Sequence, residues 1–247
     1  RLTEATYLTS TFDKPRYGNQ IKADKKPVSS QLINLDLYNC DFTHGFLETL
    51  LLSSHSLKTF SLTDYNISRF SKSVLRMFYI QNGQTLQTLN LAFTHVVNIE
   101  HIELIVKHCT GLKEVDFSDC CLSSLSVNFL VEGITKNIEK FGLAYCGLGR
   151  SDIDHYINIL VTRCNKIKSL NIALNSITDE TLTSIMENLK NTLEELDIGT
   201  CCNITDSKML EMKSMPKLKV LNYFNPWDSN YEDLKNNLPQ LNYNLSM

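Results

Sequence analysis

The chain is 247 residues long and carries a formal net charge of −3 at pH 7, so it suits one large domain and does not indicate bulk binding to nucleic acid or to a membrane surface. Hydrophobic residues make up 43% of the sequence, and no apolar run approaches the roughly 18–20 residues of a membrane span. The composition therefore excludes an integral membrane protein with helical spans. Since the chain starts at Arg1 rather than Met, we expect further residues upstream of it.

One apolar pattern, L-x-x-L-x-L-x-x-C/N, recurs along most of the chain. Its eight approximate occurrences begin at Leu32, Leu57, Leu86, Leu112, Ile138, Ile167, Leu193 and Leu218. Successive starts are 25 to 29 residues apart, and this pattern with this period is the signature of leucine-rich repeats. Neighbouring repeats stack because one unit cannot bury its apolar face alone. We therefore predict an α/β fold, a curved leucine-rich-repeat solenoid with a parallel sheet on its concave face and helices on its convex face.

Residues 1–31 precede the first repeat and lack the motif. They carry two prolines and a scatter of basic residues at Lys14, Arg16, Lys22, Lys25 and Lys26. Terminal repeats of a solenoid are atypical because they cover an end of the core. We predict an irregular N-terminal lead-in that caps the first repeat, with a basic docking segment as the alternative.

Residues 32–224 hold the eight repeats. In each, the first, fourth and sixth positions should point into the core, as Leu86, Leu89 and Leu91 do in the third repeat, and the residue between the last two should face the opposite way. Parallel strands need a crossover of a dozen or more residues, and the intervening segments have helical periodicity. Ser151 followed by Asp154 predicts a capping box at the start of one such helix.

Residues 225–247 should form a C-terminal cap. The sequence predicts a turn at 225–228, a last helix over 231–238 and a degenerate closing strand at 241–243. The only tryptophan of the chain, Trp227, either packs this cap or is exposed as a binding anchor.

The eight cysteines follow the repeat rather than a disulfide framework. Cys40, Cys120, Cys146 and Cys201 occupy the ninth repeat position, Cys109 and Cys164 end helices, and Cys121 and Cys202 follow ninth-position cysteines. A small buried side chain suits these places, and the chain contains no C-x-x-C pair of the kind that zinc sites use. We predict reduced, metal-free thiols and hence a reducing compartment, the cytoplasm or the nucleus.

The ninth-position cysteines and the period near 26 residues resemble the cysteine-containing subclass of leucine-rich repeats, which is typical of F-box/leucine-rich-repeat proteins. The segments that carry the resemblance are LKEVDFSDCCLSS (112–124) and LEELDIGTCCNITD (193–206). STFDKP (10–15) and MPKLKVLNYFNPWD (215–228) are similar to the entry and the last repeat of one member. The resemblance implies an F-box that binds a Skp-type adaptor within a cullin–RING ubiquitin ligase, and repeats that hold the substrate. No F-box is present in this chain, so the resemblance places it upstream of Arg1.

Catalytic and cofactor motifs are absent from the sequence. It has no G-x-G-x-x-G, P-loop, G-x-S-x-G or H-E-x-x-H segment. His101 and His108 could share a helix face, but ordinary surface histidines are favoured over a metal site. We predict that the protein is not an enzyme and needs no cofactor or metal.

The positions that should line the concave sheet and its rim are the third, fifth, seventh and eighth of each repeat. They hold seven acidic residues and one basic residue, Lys140. Aromatic residues interrupt this polar surface, and exposed aromatics beside charges are typical of interface anchors. The plain alternative is that these positions are polar because they face solvent. On that view, replacing Asp116 by alanine should change stability by no more than about 0.5 kcal/mol.

From these columns we predict a protein-binding site on the concave face. Its candidate residues are Asp36, Tyr38, Asp64, Asn90, Phe93, Glu114, Asp116, Asp119, Tyr145, Asn171, Asp197, Asn222, Phe224 and Trp227. The predicted partner is a protein or peptide that presents a basic or polar surface, not a nucleic acid or a membrane. The favoured function is substrate binding for an F-box ubiquitin ligase, and the alternative is a free-standing repeat scaffold or inhibitor.

Overall fold

The computed structural model describes residues 4–6, 32–38, 44–63, 70–94, 97–147, 150–224, 234 and 236–238. Its strands are β1 (Glu4–Thr6), β2 (Asn34–Tyr38), β3 (Thr59–Thr63), β4 (Thr88–Asn90), β5 (Glu114–Asp116), β6 (Lys140–Gly142), β7 (Ser169–Asn171), β8 (Glu195–Asp197) and β9 (Val220–Asn222). Its helices are α1 (His44–Ser53), α2 (Lys72–Asn82), α3 (Ile99–His108), α4 (Ser124–Gly133), α5 (Arg150–Arg163), α6 (Asp179–Leu189) and α7 (Asp206–Glu211), and a 3₁₀ helix (Met212–Ser214) follows α7. None of these described helices is both long and apolar enough to cross a bilayer.

The nine described strands form one sheet whose spatial order is the chain order, and every neighbouring pair is parallel. The register follows the repeat, so that fourth-position residues face one another across strands. Leu89 pairs with Val115, Val115 with Phe141, and Phe141 with Leu170. The predicted leucine-rich-repeat solenoid is confirmed.

Strand β1 was not predicted by the sequence. Glu4 to Thr6 pair with Asn34 to Asp36 and so extend the sheet by one strand beyond the first repeat. The prediction of an irregular lead-in is therefore wrong at these three residues. Three residues are too few for the alternation of a strand to be recognised in the sequence. Strand β1 is held by main-chain pairing with β2 rather than by an apolar motif.

The core lies between the sheet and the helices. Leu86, Leu89 and Leu91 are fully buried, as predicted for the first, fourth and sixth positions. The helices turn their periodic apolar faces to this core, as the buried Ile185 and Leu189 of α6 show. Since each repeat buries its leucines against the next, the core runs the length of the described repeats.

The predicted capping box at Ser151 and Asp154 is wrong. Helix α5 already begins at Arg150, and the Asp154 carboxylate forms hydrogen bonds with residues of the following repeat. It accepts hydrogen bonds from the backbone N–H and the hydroxyl of Thr178, both at 2.9 Å, and from the hydroxyl of Thr181. Asp154 is buried and ties α5 to the start of α6, a contact between repeats that local spacing cannot reveal.

Burial sets the chemistry of the described cysteines. Cys109, Cys120, Cys146, Cys164 and Cys201 are buried, Cys121 and Cys202 are exposed, and Cys40 lies outside the described residues. Burial raises the pKa of the thiols of Cys109, Cys146 and Cys201 to about 12. It raises the pKa of Cys120 and Cys164 as well. Because the thiolate is the reactive form, these five side chains should be chemically inert in the folded protein.

A thiol-specific alkylating reagent at pH 8 should therefore modify Cys121 and Cys202 quickly and the five buried cysteines only on unfolding. Mass spectrometry after a short alkylation pulse measures this directly. Replacing both exposed cysteines by serine should abolish the fast phase that comes from the described cysteines. Rapid modification of Cys120 or Cys146 in the folded chain would contradict the assignment. Thiol counting in denaturant should give eight free cysteines without bound zinc.

His101 should make the stability of the chain depend on pH. Its side chain is buried on α3, and burial lowers its pKa, with a smaller opposing effect from Glu100. Below about pH 6.5 the unfolded chain takes up a proton that the folded histidine resists. The free energy of unfolding should therefore fall as the pH drops through this range. Denaturant melts of the wild type and His101→Gln should show a shallower decline in the variant, and identical slopes would contradict this.

Candidate protein-interaction groove

In the third to seventh repeats, the turn that follows the strand is held by the ninth repeat position. There the side chain donates a hydrogen bond to the sixth-position carbonyl of the preceding repeat. The Thr94 hydroxyl contacts the carbonyl of Leu62 at 2.6 Å, and the Asn175 amide contacts that of Leu143 at 2.8 Å. The Cys120 thiol makes the same contact at 2.8 Å from its Sγ to a main-chain oxygen. This explains why small donors, most often cysteine, occupy the column.

The eighth position has a left-handed backbone. In the third to seventh repeats this position is occupied by Phe93, Asp119, Tyr145, Leu174 and Thr200, with φ between 52° and 61°. Such a conformation costs an L-residue on the order of 1–2 kcal/mol. It is held by the backbone N–H, which donates to the seventh-position carbonyl of the next repeat, at 2.8 Å from Phe93 to Ser118 and 3.0 Å from Tyr145 to Ala173. As a result large side chains project outward, with Phe93 53%, Tyr145 57% and Leu174 51% exposed.

The side chain at the fifth position bends back toward the same turn. Its side-chain oxygen accepts a hydrogen bond from the N–H two residues later, as in the pair from Ser118 to Asp116 at 2.9 Å. Asn90, Asn171 and Asp197 make the same bond at 2.9, 3.2 and 3.0 Å. Gly142 has no side chain to do so, and the N–H of Ala144 donates instead to the Ser118 hydroxyl at 3.1 Å.

The fifth, seventh and eighth positions line a groove of about 560 Å³ that crosses the concave face from the third repeat to the eighth. Small seventh-position residues form its base, and three of them, Ala92, Ala144 and Ala173, are buried. The rest of its lining consists of the exposed eighth-position side chains, the fifth-position acids and amides, and Tyr223 with Phe224 at the last repeat. We call this surface the concave groove. A shallower depression of about 230 Å³ lies on the strands beside it.

The structure brings eight of the predicted site residues together in the concave groove. They are Phe93, Asp116, Asp119, Tyr145, Asn171, Asp197, Asn222 and Phe224. Asn90 and Glu114 line the shallow depression. Asp36 is exposed on β2 and is not among the described residues that line either surface. Tyr38 belongs to β2, but its side chain is not described, and Asp64 and Trp227 lie outside the described residues, so their roles stay predictions.

Sequence reasoning missed the base of the groove. The search for acids and aromatics passed over Ala92, Ala144, Ala173 and Gly199, and it passed over Leu174, which projects like the aromatics. The signal was present, because the seventh-position column is small from the third repeat to the seventh. Small residues flanked by large ones leave a channel on a surface.

Two lysines that directly precede strands, Lys168 and Lys219, are paired with glutamates outside the groove lining. Second-position residues alternate in sign, and Lys168 contacts Glu139 at 2.6 Å while Lys219 contacts Glu194 at 2.6 Å. The hydrogen bond and charge of Lys168 lower the pKa of Glu139. The described lining of the concave groove, in contrast, contains Asp116, Asp119 and Asp197 and no basic residue. Three of the seven acids of the concave columns therefore line this groove without a basic residue among its described lining.

A parallel sheet in chain order, ladders of side-chain hydrogen bonds between repeats and a solvent-open concave groove define a leucine-rich-repeat protein. Within that class, the sequence profile described as the SKP2 LRR domain matches residues 12–247, and the chain belongs to this family. The similarity of its two ends to the S-phase kinase-associated F-box protein is confirmed at the level of the family.

Solved structures agree on the fold. A chain of the structure "Crystal structure of Rad7 and Elc1 complex in yeast" superposes with a TM-score of 0.62 at 17% identity, over 88% of this chain and 53% of that chain. The leucine-rich-repeat-containing protein LegL7 from Legionella pneumophila superposes with a TM-score of 0.50 at 13% identity, over 79% of this chain and 67% of that one. This chain thus spans about half the length of the first. At such identities the likeness shows the fold alone. No curated protein sequence matches the chain.

Proposed function

We propose that this chain is the substrate-recognition domain of an F-box subunit of a cullin–RING ubiquitin ligase, acting in the cytoplasm or nucleus. Membership in the SKP2 LRR domain family supports the ligase assignment. The recognition role is supported by the chain's own geometry. In this proposal the F-box that contacts a Skp-type adaptor is encoded upstream of Arg1, and the repeats contribute binding rather than catalysis.

The observation that carries the proposal is the concave groove. Its volume of about 560 Å³ suits an extended peptide or the edge of a small domain. Its base is apolar, and Phe93, Tyr145 and Leu174 stand exposed beside it. Buried aromatic anchors supply most of the affinity of protein interfaces, and surrounding charges chiefly tune association. A groove with this composition fits protein recognition.

The test separates adaptor binding from substrate binding. The tagged protein, expressed from its complete gene, should co-purify with a Skp-type adaptor and a cullin, and should support ubiquitylation of a captured protein. In Phe93→Ala/Tyr145→Ala the adaptor should remain bound while capture and ubiquitylation of that protein fall together. Absence of the adaptor from the purified wild type would overturn the ligase role. If groove-dependent capture persisted without the adaptor, the free-standing scaffold would be the correct assignment.

A further inference from the structure

Two aspartates of the concave groove occupy the same repeat position but have different neighbours. Asp197 is fully engaged by the chain itself. Its Oδ1 accepts the N–H of Gly199 at 3.0 Å, and its Oδ2 accepts the amide Nδ2 of Asn222, the fifth-position residue of the next repeat, at 3.1 Å. Both carboxylate oxygens of Asp197 therefore have a donor.

Asp116 has no such neighbour. Its Oδ1 accepts the N–H of Ser118 at 2.9 Å, but the fifth-position residue of the next repeat is Gly142, which offers no side-chain donor. Among the residues that the structure describes, none donates a hydrogen bond to the Asp116 Oδ2 or forms an ion pair with this carboxylate. One oxygen of Asp116 is thus available to a donor from outside the chain.

Gly142 also shapes the surface around this carboxylate. A Cβ at residue 142 would lie only 2.3 Å from the Asp116 Oδ1. The carboxylate therefore extends over the backbone of the neighbouring strand, into space that only glycine leaves free. We call the surface formed by Asp116 and Gly142 the Gly142 notch. Gly142 is itself buried, and the space above it is filled by this carboxylate, so an incoming donor would meet the carboxylate rather than the glycine backbone.

The notch lies where the two concave surfaces meet. Asp116 and Asn171 line both the concave groove and the shallow depression, and Gly142 lines the depression. Lys140 also lines the depression, but its ammonium lies 3.6 Å from the carboxylate of Glu114, so this pair adds little net charge. A chain segment lying in the groove could therefore reach the notch with one side chain.

We propose that the partner places an arginine side chain against the Asp116 carboxylate at the Gly142 notch, while adjacent apolar residues of the same segment contact the alanine base of the groove. A guanidinium is planar, carries five N–H donors and forms charge-assisted hydrogen bonds with carboxylates. The three aspartates of the described lining supply the complementary charge. This inference rests on the proposed function, because it assumes that the groove binds a protein partner, and it specifies the chemistry of that partner.

The probe is a set of random 12-residue peptides displayed on phage and selected on the purified 247-residue chain. Peptides that combine arginine with apolar residues should be enriched. Each is then synthesised with arginine and with citrulline, a neutral group of the same shape. On the wild type the change to citrulline should weaken binding roughly 10-fold to 100-fold, the range for hydrogen bonds to charged groups.

The matched protein variants are Asp116→Asn and Asp197→Asn. Each removes one negative charge and keeps an oxygen for the turn hydrogen bond, a role that Asn90 and Asn171 already fill in neighbouring repeats. On Asp116→Asn the citrulline penalty should shrink to about 2-fold or less. On Asp197→Asn it should persist in full, which separates a local contact from a general charge effect. Gly142→Asn, which introduces a side-chain donor next to Asp116 as Asn222 does next to Asp197, should remove the penalty as well, with a thermal melt to verify folding.

Two results would overturn the inference. One is a selection without enrichment of arginine, and the other is an equal citrulline penalty on the wild type and Asp116→Asn. Binding to Phe93→Ala and Tyr145→Ala then tells which claim has failed. If these variants lose the peptides, the groove still binds a partner and only the arginine site is wrong. If they retain them, the groove itself is not the binding site.

Discussion

Replacing Leu91 or Leu196 by alanine should lower the free energy of unfolding by roughly 2–5 kcal/mol, the range for buried leucines. Leu91 is 0% and Leu196 is 1% exposed. They occupy the sixth and fourth positions of their repeats, where the side chain lies between the sheet and the helices. The rigid stack on either side limits collapse around the lost side chain, so a cavity should remain and the cost should be high.

Urea denaturation followed by circular dichroism measures this effect. Glu187→Ala, at an exposed position of α6, is the control and should change the free energy of unfolding by less than about 0.5 kcal/mol. Asp116→Ala should fall between the two. The sequence alone predicted a negligible effect there, but Asp116 accepts the N–H of Ser118, and a lost hydrogen bond costs about 0.5–1.5 kcal/mol. A larger loss for Asp116→Ala than for the leucines would show that the inward and outward positions are reversed.

Replacing Phe93 or Tyr145 by alanine should accelerate dissociation of the native partner and weaken binding by on the order of 1–3 kcal/mol. Both rings are more than half exposed in the free chain, and both stand beside the buried alanines of the groove. A bound partner would therefore bury apolar surface of both side chains. Surface plasmon resonance on the purified chain separates the dissociation rate from the association rate.

Charge reversal of the groove aspartates should change the association rate constant. Asp116→Lys and Asp197→Lys should slow association and flatten its dependence on salt, because charges around an interface chiefly steer the encounter. Leu125→Ala is the control for both sets of variants, since Leu125 is 67% exposed on α4, on the helical side of the solenoid. If Leu125→Ala weakened binding and all four groove variants left it unchanged, the site would have to be moved to the convex helices.

The sequence predicted the architecture because the same pattern of buried apolar positions recurs eight times. A leucine at each inward position is a weak signal alone, but its recurrence with a period near 26 residues requires stacked units. The register follows from the same positions, as the pairing of Leu89 with Val115 shows. The outward direction of the fifth-position aspartates was predicted in the same way, from strand alternation.

Two other features, the left-handed backbone of the eighth position and the role of Asp154, could not be predicted, and the physical reason is the same for both. Phe93, Tyr145 and Thr200 are poor left-handed residues, and their backbone conformation is imposed by hydrogen bonds from the next repeat. Local propensity gives no indication of it. The role of Asp154 likewise depends on Thr178, which follows it by 24 residues. In both cases the determining contact lies in a neighbouring repeat.

The most direct test of the concave groove as the recognition surface is site-specific photocrosslinking. A photoreactive phenylalanine analogue is introduced at residue 145 in the groove or at residue 125 on α4, and each chain is irradiated in complex with the native partner. Both positions are exposed, 57% and 67% respectively, so reactivity depends on the location of the partner alone. We expect a partner adduct from residue 145 and none from residue 125. An adduct from residue 125 with none from residue 145 would contradict recognition through the concave groove.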